Sequence, residues 1–172
     1  MNFCLFELTK KPAIQATVRA EIDRVCASRS AADFTNEAMG ELEYLGWCID
    51  EALRKYPIVP VLNRVCTKDF TFDGADNRQR VTIEAGTPVF VPVLAMQRDA
   101  EFYEDPMEFR PERFCDSASG NAKASGVCYA PFGVGNRSCE FEFFYLFKRF
   151  FKEFFIFAGI VSSTLVFRCL RN

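Results

Sequence analysis

The residues best equipped for chemistry in this 172-residue chain are Phe132-Gly133-Val134-Gly135-Asn136-Arg137-Ser138-Cys139, an F-x-x-G-x-R-x-C pattern. Each fixed position has a physical use around a cysteine thiolate. A thiolate needs positive charge or hydrogen-bond donors nearby, and a glycine-bearing loop presents backbone N–H groups to it. Gly135 lets the chain pass close to a flat ligand, and Arg137 can form charge-assisted bonds to that ligand's carboxylates. Phe132 can keep water from the sulfur and so tune a bound metal. The competing structural reading is a Gly-rich turn that ends at a buried cysteine. The chain has no histidine, which excludes Ser-His-Asp and Cys-His catalysis and imidazole metal ligation. Transition-metal chemistry here must run through cysteine sulfur or carboxylate oxygen.

A second pattern, Glu51-Ala52-Leu53-Arg54, puts opposite charges three apart on one helix face. By itself E-x-x-R is common, and Glu21-Ile22-Asp23-Arg24 is a second copy that reads as a solvated surface pair. Context separates the two: Lys55-Tyr56-Pro57 follows the Glu51 copy, and Arg64 and Pro111-Glu112-Arg113-Phe114 lie further on. The eight cysteines form no CxxC pair, which fits neither a zinc ribbon nor a disulfide scaffold, so most of them read as small buried hydrophobes. A net charge of −2 argues against a nucleic-acid-binding surface.

The elements that must position these residues follow from periodicity. Ile14, Val18, Ile22 and Val25 mark one face of an amphipathic helix after Pro12. A second helix is predicted from Thr35-Asn36-Glu37 through Ala38, Leu42, Leu45, Ile49 and Leu53, with Gly46 able to split it and Pro57 and Pro60 ending it. Val59–Val65 reads as extended, Asp73-Gly74 and Asp76-Asn77 as turns, and Val81–Ile83 and Thr87–Val93 as short strands around Glu84-Ala85-Gly86. Residues 99–120 show little periodicity, which in a compact domain points to a functional or mobile stretch. Residues 140–172 hold ten of the twenty phenylalanines and carry five basic and three acidic residues. Their uncharged run Phe154–Phe167 is shorter than the ~20 residues of a spanning helix. Met1–Leu5 lacks the basic start and apolar run of a signal peptide.

Taken in order, Glu51-x-x-Arg54, Tyr56-Pro57, Arg64, Pro111-Glu112-Arg113-Phe114 and Phe132-x-x-Gly135-x-Arg137-x-Cys139 resemble the cytochrome P450 haem-thiolate monooxygenases. The likeness is to the microsomal, xenobiotic-metabolising group of animals, insects in particular. It implies a mainly α fold with small β-sheets, here a partial one. That part holds the end of the long distal helix, the helices after it, a short sheet, the meander and the cysteine loop. The resemblance further implies haem b ligated by the Cys139 thiolate, with Arg137 and Arg64 on its propionates and Phe132 and Gly135 beside it. Glu51, Arg54 and Arg113 become a buried salt-bridge triad. Ile58, Val59, Val61 and Leu62 become a substrate-contacting segment suited to lipophilic molecules. The implied reaction inserts one oxygen atom from O₂ into such a substrate, with electrons from NADPH–cytochrome P450 reductase at the endoplasmic reticulum membrane. Gln97 stands where many relatives have histidine, and Asn136 where proline is common.

Met1–Leu8 resembles the segment just after the family's oxygen-activating acid–alcohol pair, so the family's membrane anchor is not expected within these residues. Residues 1–139 form the expected partial catalytic domain and residues 140–172 a Phe-rich tail outside the family pattern. Glu140 and Phe141 stand where relatives carry an aliphatic residue and glycine. An acid there disfavours the thiolate, and a large ring crowds the macrocycle. Two other readings of the chain follow: a non-catalytic truncated remnant or gene-model artefact without stable haem, and a membrane-associating module acting through residues 141–167.

Overall fold

The computed structural model describes residues 2–27, 40–73, 80–115 and 128–133. The predicted cap at Thr35–Glu37, the turns at Gly74 and Asp76-Asn77, the cysteine loop from Val134 through Cys139, and the tail lie outside the described residues.

Among the described residues the fold is mainly helical, with three longer helices, one short one and two small antiparallel sheets. Helix α1 (Asn2–Lys10) and α2 (Pro12–Ala27) are separated at Lys11, with Pro12 in the first position of α2, where its missing N–H costs nothing. Helix α3 spans Glu43–Lys55. Val18, Ile22 and Val25 from α2 meet Cys4 and Leu8 from α1 and Leu45, Cys48, Ile49, Ala52 and Leu53 from α3 in one core, closed by Phe109. The 3.6-residue stripe read from the sequence is thus the buried face of α2, with Ile14 partly covered at its edge. The α3 run begins at Glu43, after a break at Glu41–Leu42, and Gly46 sits inside the helix with its N–H bonded to the Leu42 carbonyl at 3.1 Å.

Strand β1 (Leu62–Val65) pairs antiparallel with β4 (Pro88–Val91), placing Arg64 opposite Val89. Strand β2 (Phe70–Asp73) pairs with β3 (Arg80–Ile83), Phe72 facing Val81. Between β3 and β4, Thr87 N–H closes a turn on the Glu84 carbonyl at 3.1 Å, and Gly86 takes the positive φ of 89° that the turn requires. Val93, which the sequence reading placed at the end of a strand, instead opens the short helix α4 (Val93–Met96). Of the irregular stretch from residue 99, Pro111–Phe114 forms a 3₁₀ turn. Val65, Phe70, Phe72, Val81 and Phe90 leave the sheets with exposed apolar side chains. Among the described residues no helix is long and apolar enough to cross a membrane.

The Glu21 copy of E-x-x-R is not a solvated surface pair. Glu21 is half-buried, and its two carboxylate oxygens accept the backbone N–H groups of Tyr44 (2.9 Å) and Leu45 (3.0 Å). The residue before α3, Leu42, offers no side-chain cap, so a carboxylate from α2 takes over that role and also meets the positive end of the helix dipole.

Buried Glu7 on α1 accepts a 2.8 Å bond from Lys55 Nζ and another from Tyr56 Oη, which ties α1 to the end of α3. Burial pushes the Glu7 carboxyl up, but these donors outweigh it and hold the pKa below the usual carboxylate range. A carboxyl whose folded pKa is depressed stabilises fully above its unfolded pKa, about 4.3, and loses that contribution as pH falls through the folded value. Denaturant unfolding followed from pH 7 into the acid range is therefore expected to show a loss of stability that is shallower in Glu7→Gln; identical profiles would contradict the assignment. Glu21→Ala is expected to cost about 1 kcal/mol by the same unfolding assay, and an unchanged midpoint would show that the cap contributes nothing.

Candidate functional site

Helix α3 ends in an unusual density of buried polar groups: Asp50, Glu51, Arg54 and Lys55 are all buried. Glu51 and Arg54 lie one turn apart, and each is 0 % exposed. Arg54 binds the carboxylate through two parallel bonds, Nε to Oε2 at 2.7 Å and Nη2 to Oε1 at 2.8 Å. Its remaining donors go to backbone carbonyls across the fold, Nη1 to Gln97 at 2.7 Å and Nη2 to Pro106 at 2.8 Å. The Tyr103 ring lies under the guanidinium, with Cζ 4.9 Å from its centre. Glu51 Oε1 also accepts the Arg110 N–H at 3.0 Å.

Arg113, from the 3₁₀ turn, brings Nε to 3.5 Å from Glu51 Oε1 and donates from Nη2 to the Asp105 carbonyl at 2.9 Å. Burial draws its pKa down, and the Glu51 charge opposes that. The three charged residues singled out from the sequence therefore meet around one carboxylate. Two charges taken out of water are tolerable only where nearly every donor and lone pair is used. That condition is what fixes the segment 97–113 on α3.

Of the partners that complete this centre, Gln97 was noted only as standing where relatives have histidine, and Arg98 carried no sequence signal of its own. Gln97 Nε2 reaches the Arg54 carbonyl at 3.2 Å and the Leu53 carbonyl at 3.4 Å, and Arg98 donates twice to the Lys55 carbonyl, at 2.6 and 3.0 Å. These side chains satisfy the carbonyls orphaned at the end of α3. Gln97 Oε1 is buried and makes no hydrogen bond.

The remaining described candidates lie outside this centre. Ile58, Val59 and Val61 are exposed, forming an apolar strip that leads into β1, with Leu62 half-buried. Arg64 is exposed on β1, its Nη1 donating to the Asn63 carbonyl at 2.8 Å. It helps to line an open cleft of about 690 Å³ with Asn63, Val65, Thr67, Pro88 and Phe90. Arg64 beside the apolar side chains of Val65, Pro88 and Phe90 suits the carboxylates of a flat apolar ligand. Phe132 is half-buried against the helical core rather than isolated in a loop. Beside it Gly133 takes a φ of 79°, with its N–H on the Ala130 carbonyl at 3.2 Å. That left-handed turn starts the F-x-x-G-x-R-x-C segment, and the sequence reading stressed Gly135 instead. Gly135, Arg137 and Cys139 lie outside the described residues.

Among the other cysteines, Cys4, Cys48 and Cys128 are buried and free, while Cys66 and Cys115 are half-buried. Burial pushes the Cys4 thiol up to about 12, and Cys48 rises further for the same reason, so both are protonated and inert at neutral pH.

Breaking the central pair from one side is expected to leave a buried charge unmatched. Arg54→Met and Glu51→Leu should each lower unfolding free energy by about 3–5 kcal/mol, measured by denaturant titration. A loss under about 1 kcal/mol, the scale of an exposed ion pair, would contradict the burial and geometry described.

Comparison with known proteins agrees with this architecture. The family model for cytochrome P450 matches residues 1–142. The chain is 42% identical over 142 residues to cytochrome P450 6l1 of Blattella germanica, 42% identical over 139 residues to cytochrome P450 6a8 of Drosophila melanogaster, and 37% identical over 139 residues to cytochrome P450 3A28 of Bos taurus. Each match covers 81% of this chain and 25–26% of the relative, so the chain spans about a quarter of the length of the curated proteins it matches. With a fold built around the buried Glu51–Arg54 centre and a family match across most of its length, the chain belongs to the cytochrome P450 family of haem monooxygenases.

Proposed function

We propose that residues 1–139 supply the thiolate side of a haem monooxygenase site, with Cys139 as the iron ligand and residues 140–172 as a tail outside the catalytic domain. The observation that carries this reading is the buried Glu51–Arg54 pair, which holds residues 97–113 against α3 while the segment leading to Cys139 packs on the same helix. Arg64 and Arg137 would hold the propionates, one from the rim of the β1–β4 cleft and the other from the cysteine loop. Gly135 would allow close approach to the macrocycle, and Phe132 would shield the sulfur from water. Glu51, Arg54 and Arg113 position these groups without touching them.

When bound, haem b supplies the activation of O₂ that inserts one oxygen atom into a lipophilic substrate, using electrons from NADPH–cytochrome P450 reductase. The exposed apolar side chains of Ile58, Val59 and Val61, with Leu62 behind them, support a substrate of that class by excluding water from one wall. Xenobiotic metabolism at the endoplasmic reticulum membrane is the setting that the family resemblance implies in this reading.

The test is spectroscopic. The full chain, reconstituted with haemin, reduced and exposed to CO, is expected to give the red-shifted Soret band of thiolate ligation, and Cys139→Ala is expected to lose it. A band of the non-thiolate type in the native chain would overturn the reading and favour a non-catalytic remnant.

A further inference from the structure

A second, smaller core lies between the ion-pair centre and the start of the cysteine loop. Tyr103, Phe114 and Cys128 are buried together there, with Trp47 and Tyr129 packed against them. Two tyrosine hydroxyls tie this cluster down. Tyr103, whose ring carries the Arg54 guanidinium, donates from Oη to the Cys128 carbonyl at 3.2 Å. Tyr129 donates to Asp50 Oδ1 at 3.0 Å and lies 3.3 Å from the Asp50 carbonyl. The Phe114 ring braces Tyr129, with centroids 5.0 Å apart at 59°. Asp50 is 1 % exposed and immediately precedes Glu51 on α3.

Consecutive residues of one helix therefore serve opposite ends of the site. Glu51 faces the segment 105–113, whereas Asp50 receives the chain as it enters F-x-x-G-x-R-x-C. A carboxylate in the core is costly to bury, and a hydroxyl partner from a residue ten positions before the thiol gives it a directional bond rather than a merely apolar contact. Tyr129 is followed within four residues by the left-handed Gly133 turn.

We propose that Asp50 and Tyr129 are a positioning pair for the thiolate: their hydrogen bond fixes residues 128–133 on α3, and through them the placement of Cys139 relative to the haem. The proposal rests on the haem-thiolate reading above. The pair touches neither haem nor substrate. It acts through the lead-in segment, so its loss redistributes ligation without abolishing haem binding. Burial beside Asp50 pushes the Tyr129 hydroxyl well above its ordinary pKa, keeping it a donor across the working pH range.

The full chain reconstituted with haemin provides the test, read as the ratio of thiolate to non-thiolate Soret bands of the CO complex in the bound haem. Tyr129→Phe and Asp50→Ala are each expected to shift that ratio toward the non-thiolate form about fivefold, the scale of one lost hydrogen bond. Asp50→Asn keeps an oxygen that accepts from Tyr129 and is expected to retain the native ratio. Combining Asp50→Leu with Tyr129→Phe removes the buried charge with its partner, which guards against unfolding, and is expected to show the same shift as Tyr129→Phe. A native ratio in that double variant would overturn the proposal. Amide hydrogen exchange at residues 129–133 of the haem-free chain provides a second readout, expected to accelerate about fivefold in Tyr129→Phe and not in Asp50→Asn. If the native chain gives no thiolate band, the haem-thiolate reading fails; unaltered exchange in Tyr129→Phe refutes the anchor itself.

Discussion

A bidentate ion pair with no solvent exposure governs this chain. Glu51 and Arg54 gain little net stability merely by attracting each other, because removing both charges from water costs about as much as their attraction returns. What makes the arrangement tolerable is the set of groups around it: the carbonyls of Gln97 and Pro106, the N–H of Arg110, the Tyr103 ring and the second guanidinium of Arg113. Each belongs to a segment with little regular secondary structure. The charged pair thus specifies a conformation for residues 97–113 that local propensity does not.

The same economy extends along α3. Its start is capped from another helix by Glu21, its last carbonyls are covered by Gln97 and Arg98, and Lys55 reaches back to Glu7 on α1. Asp50 and Glu51 divide the two chain segments that approach from the opposite side. One thirteen-residue helix consequently gathers the first helix, the irregular stretch after β4 and the lead-in to Cys139. The sheets contribute differently. They are two-stranded and carry exposed apolar side chains, with Arg64 on β1. Two-stranded sheets have little stability alone, so they are the softer part of the fold.

Local patterns were the legible part of the sequence. The period of Val18, Ile22 and Val25, the strands around Gly86, and the spacing of Glu51 and Arg54 each depend on residues close together in the chain. The role of Glu21 was misread because its partners are backbone N–H groups at Tyr44 and Leu45, which no side-chain pattern reports. The contacts of Gln97, Arg98 and Tyr103 were equally hidden, since they run to carbonyls and a guanidinium at long range. Strand β2, Phe70–Asp73, was not read from the sequence; it is defined by its pairing with β3. The Asp50–Tyr129 contact spans 79 residues, and neither residue belongs to a motif of its own. The expectation that Cys139 ligates iron rests on the residue types around it and on the resemblance, both read from the sequence.

In the proposed site the buried pair on α3 determines whether sulfur reaches iron. X-ray absorption at the iron edge of the haemin-reconstituted chain measures this directly. The account predicts one sulfur neighbour to iron in the native chain, and its replacement by nitrogen or oxygen when Arg54→Met breaks the pair while haem remains bound. A sulfur neighbour that persists unchanged in Arg54→Met would contradict the account.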